Sequence, residues 1–254
     1  MAVVDFLSLF FIEKFVIISK DFMPKISVII PTYQHRDTIE TCLLSLFNQT
    51  FKDFEIIIVN DGSTDNTAEV LEKYKDRIKI INQENLGAPA ARNRGFKESS
   101  GQFIIFADAD IDAKPEMLQK MLDALLNHPE VSFAYSSFMW GRKKFGLHKF
   151  DGEALKKINY ITSTTLIRRE HFPGWDENLK KFQDWDLWLQ MLQKGHVGVW
   201  VPEFLFTVKP RRTGISSWLP GFMYKIPWGK IGWAPKAIKK YNEALKIIKA
   251  KHHL

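Results

Sequence analysis

The chain has 254 residues and a net charge of +7, with 45% apolar and 26% charged residues. This balance is typical of a globular protein with one large domain or two small ones, and a single cysteine, Cys42, excludes a disulfide within the chain. Residues 209–254 hold eleven Lys and Arg against one acid, Glu243, so residues 1–208 are slightly acidic and nucleic-acid binding by the whole domain is not supported.

Residues 1–22 precede the first predicted strand. The stretch 6–18 is mostly apolar, but Glu13 and Lys14 interrupt it. It is too short and too charged to span a bilayer, and it matches a signal peptide poorly. Two interpretations stay open: an added helix packed on the domain, or non-native sequence before a true start at Met23.

Residues 23–112 alternate apolar strands with amphipathic helices, and we expect them to form a nucleotide-binding half. The predicted strands are Lys25–Pro31, Phe54–Asn60, Ile78–Asn82 and Phe103–Ala107. Asp37, with Glu40 three residues later, predicts a helix N-cap, and Cys42 falls on the apolar face of that helix. The connections are long enough for crossovers, which predicts an α/β fold with a mostly parallel sheet and helices on both faces.

Residues 113–216 show a more mixed pattern, which we expect to form an acceptor half within the same domain. Helices are predicted after Pro115 and at Asp184–Gly195, and strands at Val131–Phe138, Ser163–Arg168, Val197–Val201 and Phe204–Val208.

Residues 217–254 form a basic, aromatic tail. Trp218, Trp228 and Trp233 alternate with lysines, and a predicted helix follows with Ile238, Tyr241, Leu245 and Ile248 on one side. Two interpretations stay open for this helix. It could lie on an anionic membrane surface, or it could dock on the domain and leave a basic face in solvent.

Polar residues follow each of the four strands in residues 23–112. They are Thr32-Tyr33, Asn60-Asp61, Glu84-Asn85 and Asp108–Asp110. Because ligands of parallel sheets bind outside the carboxyl ends of the strands, we expect these four clusters to meet at one site.

The first two clusters suit a nucleoside. A fixed carboxylate at Asp61 can accept the imide N–H of uracil, Tyr33 can stack on the base, and Thr32 can supply a hydroxyl or backbone contact. The alternative is that Asp61 belongs to an ordinary turn that caps a helix. Arg92 and Arg94 could likewise be ordinary surface charges.

Asp108 and Asp110 suit a divalent metal. Carboxylates one residue apart after a strand project to the same side, and hard cations such as Mg²⁺ or Mn²⁺ prefer oxygen ligands. We expect Asp110 to bind the metal and Asp108 to contact the ribose or the metal's surroundings. The alternative is a turn with two solvated aspartates.

Asp184 is the predicted catalytic base. An attacking sugar hydroxyl needs a proton acceptor within hydrogen-bond reach, and Asp184 falls at the start of an amphipathic helix. The alternative is a helix cap, because carboxylates are favoured at helix starts. We expect Asp186, two residues later, to be a solvent-side or structural acid.

Taken together, the chain resembles family 2 glycosyltransferases with the GT-A fold. The matching segments are SVIIPTYQ (27–34), FEIIIVNDGSTDNT (54–67), ENLGAPAARNRG (84–95), FIIFADAD (103–110) and FQDWDLWLQ (182–190). The resemblance implies an inverting transfer from a nucleotide sugar, commonly a UDP-sugar, with a divalent metal. It implies donor contacts at Pro31, Thr32, Tyr33, Asp61, Arg92, Asn93 and Asp108, a metal at Asp110 and Asp108, and a base at Asp184.

Two departures from the family pattern refine this expectation. Gln183 stands where the family often has Glu. The base Asp184 is intact, but any inference about a role of its neighbour in acceptor binding is weaker. The Gln-x-x-Arg-Trp motif of the processive synthases is absent, and Lys209-Pro210-Arg211-Arg212 occupies the comparable region, where it could help to neutralise a diphosphate. A single-addition enzyme is therefore expected.

The leading hypothesis is transfer of one sugar to a glycan or lipid-linked acceptor in polysaccharide biosynthesis. The alternatives are a nucleotidyltransferase, which would usually have a glycine-rich loop after the first strand, and a non-catalytic scaffold on a membrane. The expected location is the cytoplasm, with peripheral attachment to the inner face of the plasma membrane as an option for the basic tail.

Overall fold

The computed structural model describes residues 23–210, 226, 228 and 235–254. Its α-helices are Ile39–Phe47 (α1), Thr67–Glu72 (α2), Ala88–Lys97 (α3), Met117–Asn127 (α4), Gly152–Lys157 (α5), Gln183–Gln193 (α6) and Lys236–His252 (α7). Its strands are Ile26–Thr32 (β1), Phe54–Asp61 (β2), Lys79–Gln83 (β3), Phe103–Phe106 (β4), Ile111–Ala113 (β5), Phe133–Trp140 (β6), Lys143–Phe145 (β7), Leu166–Arg168 (β8) and Gly198–Val208 (β9). Both interpretations of residues 1–22, and the predictions for Trp218 and Trp233, lie outside the described residues.

The strands of the described residues form one nine-stranded sheet, in the order β3-β2-β1-β4-β8-β6-β9-β5 with β7 paired to β6. β1 to β4 are parallel, as predicted, because α1, α2 and α3 carry the chain back between them. The connection from β6 to β8 contains only β7 and the six-residue α5, and β8 runs antiparallel to both β4 and β6. The predicted α/β fold class is confirmed, with a mixed sheet in its second half.

Helices cover both faces of the sheet. Successive residues of β1 point to opposite sides, so Val28 and Ile30 join the core under α1 and α4, whereas Ile29 joins the core under α6. α3 approaches β1 closely, because a Cβ at Gly95 would lie 2.4 Å from the Ile29 side chain. Cys42 is fully buried in the core, as predicted.

Two local predictions were wrong. The N-cap of α1 is Thr38 rather than Asp37, and the Thr38 hydroxyl lies 2.9 Å from His35 Nδ1 instead of capping the helix. The two strands predicted at 197–208 are the single strand β9, in which Pro202 sits where the register against β6 shifts. Proline has no backbone N–H to donate to the ladder, so within a sheet it is tolerated at such an irregularity.

α7 docks on the domain through its predicted apolar side. Ile238 and Ile248 are buried, Leu245 packs on the core that includes α6, and the ring centroids of Tyr241 and Phe182 lie 5.2 Å apart. The docked interpretation is confirmed, and this apolar side is not available to a membrane because protein already covers it. Within the described ranges, no helix is long and apolar enough to cross a membrane.

Candidate active site

The loops that follow β1 and β2 are joined by the side chain of Gln34. Its carbonyl oxygen accepts hydrogen bonds from the backbone amides of Thr64 (3.1 Å) and Asp65 (2.9 Å), and its amide donates to the Thr64 hydroxyl (2.7 Å). Gln34 has a φ of 57°, a left-handed conformation that is uncommon for residues other than glycine. These contacts hold the two loops in fixed positions at the carboxyl edge of the sheet.

Asp61 ends β2 and is buried. Its Oδ1 accepts from Gln83 Nε2 (2.7 Å) and the Leu86 amide (2.9 Å), and its Oδ2 accepts from the Gly87 amide (2.8 Å). The carboxylate therefore organises the loop that leads from β3 into α3. Contact with a nucleobase would add to this role, and it stays a prediction.

The residues at the end of β1 differ in exposure. Tyr33 is 45% exposed, as a stacking surface for a base requires, while Thr32 is 1% exposed. The Thr32 hydroxyl is buried and has no hydrogen-bond partner among the described residues, so its contact with a nucleoside stays a prediction. Pro31 lies within β1, opposite Val59 of β2, and is half-buried.

Arg92 links the sheet edge to the start of α6. Its Nη2 lies 2.9 Å from Asp108 Oδ1, its Nη1 donates to Gln183 Oε1 at 3.3 Å, and its guanidinium carbon lies 4.6 Å from the Trp175 ring centroid. Arg92 is 6% exposed, so an ion pair and an aromatic face compensate for its lost hydration. This buried cation belongs to the candidate site and is not an ordinary surface charge.

Ser163 forms a second link between the same two regions. Its hydroxyl donates to Asp108 Oδ2 at 3.2 Å, and its backbone amide donates to the Asp184 carboxylate. Sequence patterns had marked Ser163 only as the start of a strand, and nothing in them indicated Trp175 as a neighbour of Arg92.

Asp184 lies in the first turn of α6. Burial is the main reason that the pKa of Asp184 is raised to about 6; Arg92 and the Ser163 amide oppose this rise, and Asp108 adds to it. The N-cap of α6 is Phe182, and no side chain caps the helix. Asp184 therefore does not act as a helix cap, and its environment makes it more basic than an ordinary aspartate.

Asp108 and Asp110 flank the buried Ala109 after β4. Both carboxylates are half-buried, and their oxygens have the chemistry that Mg²⁺ and Mn²⁺ prefer. No group of three or more His, Cys, Asp or Glu suited to a metal occurs in the part of the chain that the structure describes. Two carboxylates nevertheless fit a cation that takes its other ligands from phosphates and water. Nearby, the buried Cys42 thiol donates to the Asp108 backbone carbonyl at 3.6 Å, and burial raises its pKa well above the usual range.

Two further predicted residues have structural partners. Asn93 exchanges hydrogen bonds with the Trp175 backbone at 2.9 Å in both directions and donates to Glu177 at 2.7 Å. The structure thus places its amide on the loop around Trp175, and its predicted contact with base or ribose stays a prediction. Asp186 is a buried structural acid, which agrees with one of its two expected roles.

Comparison with known protein families identifies the enzyme class to which this site belongs. A family model described as "Glycosyl transferase family 2" matches residues 27–180, which is more than half of the chain. The chain belongs to glycosyl transferase family 2. The predicted family and the predicted enzyme class, a glycosyltransferase, are confirmed, and the nucleotidyltransferase alternative loses its support.

Relatives in this family share different lengths of the chain. The Bacillus subtilis protein "Putative teichuronic acid biosynthesis glycosyltransferase TuaG" is 30% identical over 85% of this chain and 97% of its own length. The "GalNAc(5)-diNAcBac-PP-undecaprenol beta-1,3-glucosyltransferase" of Campylobacter jejuni is 35% identical over 57% of this chain and 48% of its own length. Some other relatives, such as YibD of Escherichia coli, match over only 30% of their length, so the chain spans about a third of those proteins.

Solved structures show the same fold. A TarS fragment from S. aureus, in complex with UDP-GlcNAc, has a TM-score of 0.65 at 21% identity over 79% of this chain and 64% of that one. The mannosyltransferase PcManGT of Pyrobaculum calidifontis, in complex with GDP-Man and Mn²⁺, has a TM-score of 0.61 at 17% identity over 89% and 70%. At these identities the likeness establishes the GT-A architecture.

Proposed function

We propose that the chain transfers a single sugar, with inversion, from a UDP-sugar to a glycan or lipid-linked acceptor in polysaccharide biosynthesis. The observation that carries this proposal is the double bridge made by Arg92 and Ser163. Each contacts Asp108 at the sheet edge and also a residue at the start of α6, Gln183 for Arg92 and Asp184 for Ser163. The bridge joins the carboxylate that would face a donor to the carboxylate that would face an acceptor.

Asp184 suits the role of general base. With a pKa of about 6 it is mostly ionised at neutral pH, and it is still basic enough to take the proton of a sugar hydroxyl. As that proton moves to Asp184, the acceptor oxygen bonds to the anomeric carbon and the bond from this carbon to the diphosphate breaks. Such a single displacement inverts the anomeric configuration.

The donor would lie along the carboxyl edge of the sheet. Tyr33, Thr32 and Asp61 would contact the nucleoside, and the buried cation of Arg92 would offset negative charge beside Asp108. Mg²⁺ or Mn²⁺ would be held by Asp108 and Asp110, where it would act as a Lewis acid towards the diphosphate. The donor and Mn²⁺ complexes of TarS and PcManGT support these assignments.

The acceptor class is inferred from relatives and from sequence. The names of TuaG and of the Campylobacter jejuni enzyme support polysaccharide and lipid-linked acceptors. The missing Gln-x-x-Arg-Trp motif favours addition of one sugar.

A membrane surface could be approached through α7. The side of α7 opposite its docked face carries exposed lysines, Lys236, Lys239, Lys240 and Lys246. Each lysine near an anionic bilayer contributes about 1 kcal/mol, so this side suits peripheral binding without insertion.

A direct assay tests the proposed transfer. The chain is incubated with Mn²⁺, a panel of UDP-sugars and glycan or undecaprenyl-linked acceptors, and the product is identified by mass spectrometry and its anomeric configuration by NMR. We expect inverted product with the wild type and with Asp123→Asn, a surface change on α4, but none with Asp184→Asn. UDP binding should persist in Asp184→Asn. Turnover near the wild-type rate in that variant, or a retained configuration, would refute the mechanism.

A further inference from the structure

The last turn of α7 is fastened to α6 at a buried point. Asp186 Oδ1 lies 2.7 Å from His252 Nε2 and 2.8 Å from Lys251 Nζ, and Asp186 Oδ2 accepts from Gln190 Nε2 at 2.7 Å. The side chains of His252 and Asp186 are 2% and 1% exposed. A buried carboxylate with several donors is costly to disturb, because a missing partner leaves a charge without solvent or counter-charge.

A second contact joins α7 to the loop that carries Trp175. Lys251 Nζ lies 2.6 Å from Asp176 Oδ2, and Asp176 follows Trp175 in the chain. Trp175 carries the guanidinium of Arg92 on its ring, and Arg92 pairs with Asp108. One turn of α7 thus holds both the helix of the proposed base and the loop behind the proposed donor contact.

The start of α6 is also held by Gln183, which contacts Arg92 and Leu179, and by Trp185, whose Nε1 donates to the Leu155 carbonyl at 2.6 Å. The contacts of Asp186 add a charged restraint one turn further along the helix. Its N-cap residue, Phe182, has a φ of 60° and provides no capping hydrogen bond. Asp184 stands two residues before Asp186 on the same helix, so a rotation of α6 about its axis would move both carboxylates together. The fixed position of Asp186 therefore limits the rotation that Asp184 can undergo.

We propose that His252 and Lys251 are positioning residues for the transfer reaction: they hold Asp186 and Asp176, and through these Asp184 and Arg92. The inference rests on the proposed function, because it assigns a role within that reaction. Neither residue touches the reacting atoms. A displacement of the base by about 1 Å can cost on the order of 100-fold in rate, so a remote contact of this kind can control turnover.

The test compares His252→Ala with two matched variants. His252→Gln keeps a side-chain N–H that can reach Asp186, and His253→Ala removes the neighbouring, exposed histidine. We expect His252→Ala to lower kcat by about 10-fold or more while the Kd for UDP changes by less than about twofold. His252→Gln should recover most of the rate, and His253→Ala should match the wild type. A folded His252→Ala variant with wild-type kcat would overturn the proposal.

Hydrogen exchange provides a readout that does not depend on transfer. Amides in residues 182–186 should exchange faster in His252→Ala than in the wild type, whereas those of α4 should not change. Equal exchange at the start of α6 would overturn the proposal even if the chain transferred no sugar, an outcome that would separately refute the proposed function. If His252→Ala does not fold, Lys251→Met replaces it in the measurements of kcat and of exchange at residues 182–186. The Kd for UDP is then left out of the comparison, because Lys251 also holds the loop beside Arg92.

Discussion

Asp184→Asn should make the protein more stable at pH 8. Burial raises the pKa of Asp184 from its usual 3.8 to about 6, so the folded state holds this proton more tightly than the unfolded chain. Wild-type stability therefore falls as pH rises from about 4 through about 6, and the ionised group costs the folded state about 3 kcal/mol above that range, at about 1.4 kcal/mol per tenfold change in acidity. Asparagine has nearly the same shape and carries no charge, so the variant avoids this cost.

Urea unfolding in EDTA, at pH 8 and at pH 4, measures the difference. At pH 8 the variant should exceed the wild type by about 3 kcal/mol, equivalent to about 6–12 °C in Tm for a chain of this size, and the two should converge at pH 4. The surface change Asp123→Asn, measured in parallel, should show no such pH-dependent gain. A variant no more stable than the wild type at pH 8, or a gain that does not change with pH, would refute the argument that burial raises this pKa.

Three other predictions follow from the site and from α7. The value of kcat/KM should rise as the pH increases through about 6, because protonated Asp184 cannot accept the hydroxyl proton. A flat profile from pH 5 to 8 would exclude Asp184 as the base. Asp61→Asn should abolish UDP binding and lower the free energy of unfolding by about 2 kcal/mol or more, since an amide cannot accept from all three donors that now bind the carboxylate. The triple change Lys239→Gln, Lys240→Gln and Lys246→Gln should weaken binding to phosphatidylglycerol vesicles at low salt by on the order of 100-fold, at about 1 kcal/mol per lysine.

Matched variants separate these effects from general damage. Asp76→Asn, between α2 and β3, should leave UDP binding unchanged, as measured by isothermal titration calorimetry. Replacing the exposed lysines Lys52, Lys73 and Lys97 by glutamine removes the same charge from other surfaces. If that protein lost vesicle binding as strongly as the α7 variant in sedimentation, net charge rather than the α7 face would be responsible.

The first half of the fold could be predicted because its local signals agree with its tertiary structure. β1, β2 and β4 are buried apolar runs, and each is followed by a helix or turn with its own sequence signal. The direction of β8 could not be predicted. A three-residue strand has the same sequence pattern whether it pairs parallel or antiparallel with its neighbour, which here is β4. The register shift between β6 and β9 could not be predicted either, because it depends on which residues of β6 lie opposite Pro202.

In the candidate site, too, some residues could be predicted from sequence motifs and others could not. Asp108, Asp110 and Asp184 stand in motifs whose residue types indicate their chemistry. The partners that set their environment, Ser163 and Trp175, come from segments whose sequence has no such pattern, because tertiary packing alone brings them there.

The sequence also left the partner of α7 open. An amphipathic stripe has the same spacing whether lipid or protein covers it, so the pattern could not decide between them. Only the folded structure shows that protein covers the stripe.

The hydrogen bonds by which Gln34 joins the loops after β1 and β2 have a consequence for donor recognition. The edge that would receive the nucleobase is held by hydrogen bonds within the protein itself, so binding there would lose less conformational entropy than binding to an unrestrained loop. Discrimination among bases would then depend on the few side chains exposed along this edge. Donor preference could therefore change through substitutions at exposed positions such as Tyr33, while the loop framework stays intact.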